Sequence, residues 1–135
     1  MARSLVLGSG LLLALAPALA SCGEGEPSPE EVSVLIREQR LRGEQLYEEH
    51  CYSCHEVEGA IGVQLSARVL ASYDFAGPLY DYIDLAMPYN EPGSLTPAQY
   101  WDIVAYLLID RELARLEAPM SGGSGEHLRL AHGGS

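Results

Sequence analysis

The motif Cys51-Tyr52-Ser53-Cys54-His55 is the feature that most constrains what this chain can fold into. Its Cys-x-x-Cys-His spacing is typical of the covalent attachment of a c-type haem. Residues three apart lie on one face of a helical turn, so both thiols can reach the two vinyl groups on one side of a porphyrin. The imidazole of the next residue can then lie under the iron as its proximal ligand. The motif therefore predicts one covalent haem c, with Cys51 and Cys54 as its thioethers and His55 as the proximal iron ligand.

Three other roles of a cysteine pair fit this sequence less well. A thioredoxin-like redox pair belongs in a βαβ context, and the hydrophobic pattern shows none. A structural zinc site takes four ligands, and no second cysteine pair completes one. A disulfide between residues three apart inside a helix would be badly strained.

The third cysteine, Cys22, closes an apolar N-terminal segment. Arg3 supplies a short positive start, and residues 4–20 are almost wholly apolar but short for a stable membrane span of about 20 residues. Leu19-Ala20-Ser21-Cys22 resembles a bacterial lipobox. We therefore predict a lipoprotein signal peptide over residues 1–21, with Cys22 lipidated and the exported protein anchored to a bacterial membrane, facing the periplasm or the outer face of the cell membrane. The alternative is an ordinary signal that leaves Cys22 as a spare thiol.

Composition divides the exported chain into three parts. Residues 22–29 are rich in Gly, Glu and Pro and predict a lipidated flexible linker. Residues 30–117 hold nearly all the aromatic side chains and predict the folded domain. Residues 118–135 hold Ser-Gly-Gly-Ser-Gly and a final Gly-Gly-Ser, which predict a disordered Gly/Ser-rich tail.

Helical signals dominate the predicted domain. Ser28-Pro29-Glu30-Glu31 and Thr96-Pro97-Ala98-Gln99 both have capping-box spacing with Pro at the first helical position. A periodic run over 41–50 could continue the first helix or form a second one. A shorter helix is expected over 78–86, before the break at Met87-Pro88. Since no stretch alternates convincingly, the sequence predicts an all-α fold.

A hexacoordinate iron needs a distal ligand, and Met87 is the favoured candidate. It lies at a break between helical segments, where the chain can turn and present a thioether. Met120 falls in the predicted tail, where ordering it as a ligand would cost too much entropy. His50 is expected on a helix face beside the haem edge, and His127 and His132 in solvent.

With these motifs, residues 42–110 resemble a class I cytochrome c. The resemblance implies a small cytochrome c fold, with three to five helices wrapped around a covalently attached haem. It also implies that Gly43 and Tyr47 cross the C-terminal helix near Ile103 and Tyr106. About seventy residues seldom bury enough apolar surface alone, and the haem would supply the missing core.

The family's Gly-Pro-x-Leu loop is similar to Gly62-Val63-Gln64-Leu65, with Val in place of Pro. In the family the carbonyl at this position accepts the ring N–H of the proximal histidine, so the resemblance assigns that contact to Val63. Leu65 and Trp101 are predicted to line the haem pocket. The wider set of pocket candidates is apolar and comprises Val69, Leu70, Tyr73, Phe75, Leu79, Tyr82 and Ile83.

The charge balance limits the partners. Eight basic residues stand against 19 acidic ones, a formal net charge of -11. Such a chain does not suit nucleic acid, and its membrane attachment must come from the lipid anchor. Its redox donor and acceptor proteins, such as an oxidase, a dehydrogenase or a quinol-oxidising complex, are expected to dock through a basic or apolar face.

The resemblance implies an electron carrier rather than an enzyme. The function it implies is that of a membrane-tethered monohaem c-type cytochrome, which performs one-electron transfer in a respiratory or periplasmic oxidation chain. The alternative is a fixed haem c subunit of an oxidoreductase complex, since the segments around Tyr80, Met87 and Tyr106 are similar to cytochrome domains that serve periplasmic dehydrogenases. A third hypothesis is a haem sensor or peroxidase from which Met87 dissociates.

Overall fold

A computed structural model describes residues 25–132 of the chain. The predicted signal peptide over 1–21 and the predicted lipidation of Cys22 lie outside the described residues. Within them the chain forms helices and one isolated β-bridge, between Phe75 and Arg129. These described residues contain no β-strand longer than that bridge. No helix in this range is both long enough and apolar enough to cross a membrane.

Six helices make up the described chain, so the predicted all-α class is confirmed. The helices are α1 Pro29–His50, α2 Tyr52–His55, α3 Ala67–Ala71, α4 Ala76–Ala86, α5 Pro97–Asp110 and α6 Gly122–Gly125. The number exceeds the predicted three to five because α2 and α6 are single turns of four residues each.

Helices α1 and α5 begin at the two capping boxes that the sequence predicts. The Ser28 side chain accepts a hydrogen bond from the Glu31 N–H, and the Glu31 carboxylate accepts one from the Ser28 N–H at 2.7 Å. Thr96 and Gln99 repeat this arrangement at the start of α5. The two periodic runs before the haem motif form one helix, α1, of 22 residues.

The crossing of α1 and α5 is the centre of the fold. At Gly43 the two backbones approach so closely that a Cβ would overlap the carbonyl oxygen of Asp102 and lie 2.8 Å from Cβ of Tyr106. The rings of Tyr47 and Tyr106 pack at 5.3 Å. Arg42 donates to both carboxylate oxygens of Asp102, at 2.9 and 3.2 Å. The crossing thus forms where the resemblance placed it.

The C-terminal segment, which we define as residues 118–132, differs from the disordered tail predicted over 118–135. Met120 is 5% exposed and Leu130 is 2% exposed. The Gln39 side chain donates to the Met120 carbonyl at 2.9 Å and accepts from its N–H at 2.7 Å. The Gly/Ser-rich composition is misleading because this paired amide and the two buried side chains fix the segment to the domain.

The C-terminal segment also supplies hydrogen-bond acceptors to the first N–H groups of α4. The N-cap position of this helix, Phe75, makes no side-chain hydrogen bond to the first turn. Instead, the Ala76 N–H donates to the Leu128 carbonyl at 2.9 Å and the Gly77 N–H donates to the Glu126 carbonyl at 3.3 Å. These are the helix-terminal donors that would otherwise lack partners, so a distant part of the chain completes α4.

Candidate metal centre

The two cysteines and the histidine of the motif lie on a single helical turn. Cys51 ends α1 and precedes α2, and its carbonyl accepts hydrogen bonds from the N–H groups of Cys54 at 3.1 Å and His55 at 3.0 Å. Both cysteines are free thiols and half-buried. Burial, together with the neighbouring Cys54, raises the pKa of the Cys51 thiol to about 11. The Cys51 thiol is therefore protonated at neutral pH.

The His55 ring is oriented by the loop that follows the motif. Its Nδ1 lies 2.7 Å from the carbonyl oxygen of Val63. A carbonyl oxygen only accepts, so Nδ1 carries the proton and the lone pair is on Nε2. The loop is held in place by the Gly62 N–H, which donates to the Cys54 carbonyl at 2.9 Å. This is the contact that the resemblance assigned to Val63, and it leaves Nε2 as the atom that can ligate iron.

Gly62 is required by the closeness of this loop to the motif. A Cβ at Gly62 would overlap the carbonyl oxygen of Cys54 and lie 2.9 Å from Nδ1 of His55. Only glycine lets the loop approach the histidine this closely. The backbone of this loop therefore lies directly against His55, the candidate proximal ligand.

Met87 is held where α4 ends, at the break that the sequence predicts. Its N–H donates to the Ile83 carbonyl at 2.9 Å, and its own carbonyl accepts from the Tyr100 hydroxyl at 2.9 Å. Met87 is half-buried against the core, and the following Pro88 is buried. Helices α4 and α5 thus both fix the backbone that carries the candidate distal thioether.

The donor set suits a haem iron. Among residues 25–132, no group of three or more His, Cys, Asp and Glu side chains is arranged to hold a metal ion. An imidazole and a thioether are the axial ligands of c-type haems with high potential. The segments that carry His55 and Met87 also leave large apolar side chains in solvent, including Ile61 at 83% and Leu85 at 80% exposure. Exposed apolar side chains of this size are suited to contact with a large apolar group such as a porphyrin.

The predicted pocket residues divide into three groups. Leu70, Leu79 and Ile83 are buried in the protein core. Leu65, Val69 and Tyr73 are half-buried. Phe75 and Tyr82 are exposed, at 40% and 48%.

Trp101 lies on a different side of α5 from Tyr100. Its ring stacks on Tyr80 at 4.3 Å, and a Cβ at Gly125 would overlap it. Trp101 thereby lines a cavity of about 1070 Å³ that is bordered by α1, α4, α5 and the C-terminal segment. The structure gives the indole these neighbours, and its predicted contact with haem stays a prediction.

The structure also locates the other histidine and methionine side chains that the sequence offers as iron ligands. His50 is half-buried at the end of α1, with Nε2 3.9 Å from the Glu49 carboxylate. His127 and His132 are exposed, and His132 lies 3.2 Å from Asp74. Met120 is buried in the core, and its backbone is hydrogen-bonded by the Gln39 side chain. Because Met120 is ordered, the entropy argument that favoured Met87 over it as the distal ligand does not hold.

A hydrogen-bond network beside His55 was not predicted from the sequence. The Glu56 carboxylate accepts from the Tyr47 hydroxyl at 2.5 Å and from Nη2 of Arg111 at 2.7 Å. Burial and the Glu56 carboxylate raise the pKa of Tyr47, whose hydroxyl therefore stays protonated and donates. Nε of Arg111 donates to the Leu65 carbonyl at 2.9 Å. No motif signals this network, because its members come from α1, the residue after the haem motif, the loop at Leu65 and the residue after α5.

Comparisons with known proteins bear on the same part of the chain. Residues 38–107, just over half of the 135 residues, match the model of a protein family described as "Cytochrome C oxidase, cbb3-type, subunit III". This range includes the haem motif, Val63, Met87 and most of α5. Searches of curated proteins and of solved structures found no match.

Proposed function

Because the chain belongs to the family described as "Cytochrome C oxidase, cbb3-type, subunit III", we propose that it is a membrane-tethered monohaem cytochrome of a respiratory or periplasmic oxidation chain. Membership makes residues 38–107 a class I c-type cytochrome domain with a covalently bound haem c. Haem-based electron transfer follows from that. The membrane tether, and the type of electron-transfer chain in which the protein acts, are what we propose.

The orientation of His55 is the observation that carries the proposal. Since Nδ1 donates to the Val63 carbonyl at 2.7 Å, Nε2 has the lone pair that ligates iron. When bound, the haem supplies a centre that gains and loses one electron. With His55 and Met87 at the two axial positions, no coordination site is left for oxygen or a substrate, which favours electron transfer over catalysis.

The tether is supported by the sequence before α1. Residues 25–28 are exposed and non-helical, and α1 begins at Pro29. If Cys22 carries the lipid, the seven residue-to-residue steps from Cys22 to Pro29 span at most about 25 Å when extended. The domain would therefore stay close to the membrane but free to turn toward more than one partner.

Haem attachment is tested by absorption spectra of the protein produced with its export signal. In the wild type, haem should stay with the denatured polypeptide, and the oxidised protein should show the weak near-infrared sulfur-to-iron band. Cys51→Ser and Cys54→Ser should each lose one thioether, while Ser53→Ala should behave as wild type because Ser53 is exposed. Haem that dissociates from the denatured wild type, or a missing near-infrared band, would contradict this proposal.

The tether is tested by cell fractionation with Cys22→Ala. The wild type should be found in the membrane fraction, with the mass of its N-terminal peptide increased by acyl chains. The variant should be released or retained unprocessed. A wild-type N-terminal peptide without acyl chains would show that the anchor is wrong while leaving the haem site intact.

A fixed subunit of an oxidoreductase complex is the second candidate, and the family description favours it because it names a subunit of an oxidase. Size-exclusion chromatography in mild detergent at moderate salt separates the two hypotheses. A subunit should co-migrate with partner proteins, and a carrier should elute alone.

A further inference from the structure

The guanidinium of Arg111 joins the two chain segments that form the His55–Val63 hydrogen bond. Nη2 donates to Oε1 of Glu56 at 2.7 Å, and Glu56 directly follows His55. Nε donates to the carbonyl of Leu65 at 2.9 Å, and Leu65 lies two residues after Val63. One side chain therefore binds next to the donor and next to the acceptor of the same hydrogen bond.

The loop around Val63 has few other restraints. Ile61 is 83% exposed and Val63 is 60% exposed, so contacts with the rest of the polypeptide do little to hold them. At the near end, the Gly62 N–H donates to the Cys54 carbonyl at 2.9 Å. The Pro that class I cytochromes c have at this position would stiffen the loop, and Val63 does not. The bond from Arg111 to Leu65 supplies a restraint at the far end.

The Arg111 side chain is itself well fixed. Its side chain is 22% exposed and that of Glu56 is 17% exposed, so water competes little for their hydrogen bond. The Glu56 carboxylate is held from the other side by the Tyr47 hydroxyl at 2.5 Å. Burial disfavours the charged guanidinium, but the carboxylates of Glu56 and Asp110 outweigh it and raise the pKa of Arg111. Charge-assisted hydrogen bonds in such surroundings are among the stronger ones.

We propose that Arg111 is a positioning residue for the proximal iron ligand: by holding Glu56 and Leu65, it keeps the Val63 carbonyl on Nδ1 of His55. The inference rests on the proposed role of His55 as the proximal ligand. A short Nδ1–H···O contact makes the imidazole a stronger donor. A stronger donor favours the oxidised iron, so the contact lowers the reduction potential.

Arg111→Lys is the decisive variant because it keeps the positive charge and removes the planar guanidinium with its divergent N–H donors. An ammonium cannot reproduce the two divergent N–H donors that reach Glu56 and Leu65. We expect the His55 Nδ1 proton to exchange with solvent at least about tenfold faster, measured by NMR of the reduced protein. The equilibrium constant for reduction against a fixed redox mediator should rise roughly threefold to tenfold.

Arg115→Lys is the matched control, since Arg115 is exposed and the chemical change is the same. It should leave both the exchange rate and the equilibrium constant at the wild-type values. The near-infrared band should persist in both variants, which shows that Met87 ligation is unchanged. If Arg111→Lys fails to assemble, Glu56→Gln carries the exchange test, because it keeps an oxygen for Tyr47 but lacks the carboxylate that Arg111 binds.

The positioning role is overturned if Arg111→Lys leaves proton exchange and reduction equilibrium unchanged, or if Arg115→Lys shifts them equally. The proposed function fails in a different way: the wild type would lack covalent haem or the spectrum of His/Met ligation. A wild type with that spectrum and an unresponsive Arg111 variant removes the positioning role alone.

Discussion

The hydroxyl of Tyr100 donates a 2.9 Å hydrogen bond to the carbonyl oxygen of Met87. Tyr100 is completely buried in the first turn of α5, while Met87 ends α4. The bond therefore connects the position of the candidate distal ligand to the helix that crosses α1.

Tyr100→Phe keeps the buried ring and removes this bond. We expect the free energy of unfolding to fall by about 1 kcal/mol, because the Met87 carbonyl loses a partner. The near-infrared band should disappear at a lower denaturant concentration than in the wild type. Tyr106→Phe makes the same change on the same helix, where the ring packs on Tyr47 instead. Equal loss of the band in both variants would show that the Tyr100 hydroxyl has no particular role in holding Met87.

Gln39→Ala should destabilise the protein by about 1–3 kcal/mol, since it leaves the buried N–H and C=O of Met120 without their partner. The measurement is equilibrium unfolding in urea. Gln45→Ala on the exposed part of the same helix controls for helix propensity and should cost little. If both variants unfold at the same urea concentration, the C-terminal segment does not depend on Gln39.

Gly43→Ala should destabilise the α1–α5 crossing by about 3 kcal/mol, because the new Cβ overlaps the Asp102 carbonyl and the two helices must separate. Better helix propensity offsets only about 1 kcal/mol of this loss. Thermal unfolding monitored by circular dichroism measures it. Gly123→Ala, where a Cβ meets nothing within 4 Å, should stay close to wild type. A Gly43 variant as stable as the Gly123 variant would be incompatible with this close approach.

Electron transfer to a basic acceptor should slow by roughly tenfold when the ionic strength rises from about 10 to 300 mM. The reason is the net charge of -11, which attracts a basic partner over a distance that salt shortens. Stopped-flow kinetics measures the rate, with a neutral small-molecule oxidant as the control. A rate that ignores salt with the basic acceptor would favour an apolar docking face.

The parts of the fold that the sequence could predict are those with a local signal. Both capping boxes are adjacent in sequence to the helices they begin, and a helix end precedes Met87-Pro88 as expected. The haem motif is a five-residue pattern with a chemical reason for its spacing. The resemblance also assigned the Val63 carbonyl to His55, where the structure has it.

The features that escaped prediction depend on partners distant in sequence. Residues 118–132 have the composition of a flexible tail, and they are ordered by Gln39 on α1 and by the first N–H groups of α4. Arg111 follows α5 without any motif, and its role emerges only when Glu56 and Leu65 are brought together. Composition and periodicity carry no signal for such pairings.

The hydrogen bonds from α4 to the C-terminal segment connect a Gly/Ser-rich part of the chain to the helix that ends at Met87. Ala76 and Gly77 at one end of the helix take carbonyls from residues 126–128, and Met87 follows its other end. A local opening that releases those carbonyls would fray α4 from its start, so the segment, the helix and Met87 should open as one cooperative unit. The family match stops at residue 107, yet the carbonyls that complete the start of α4 belong to residues 126 and 128, beyond the matched range.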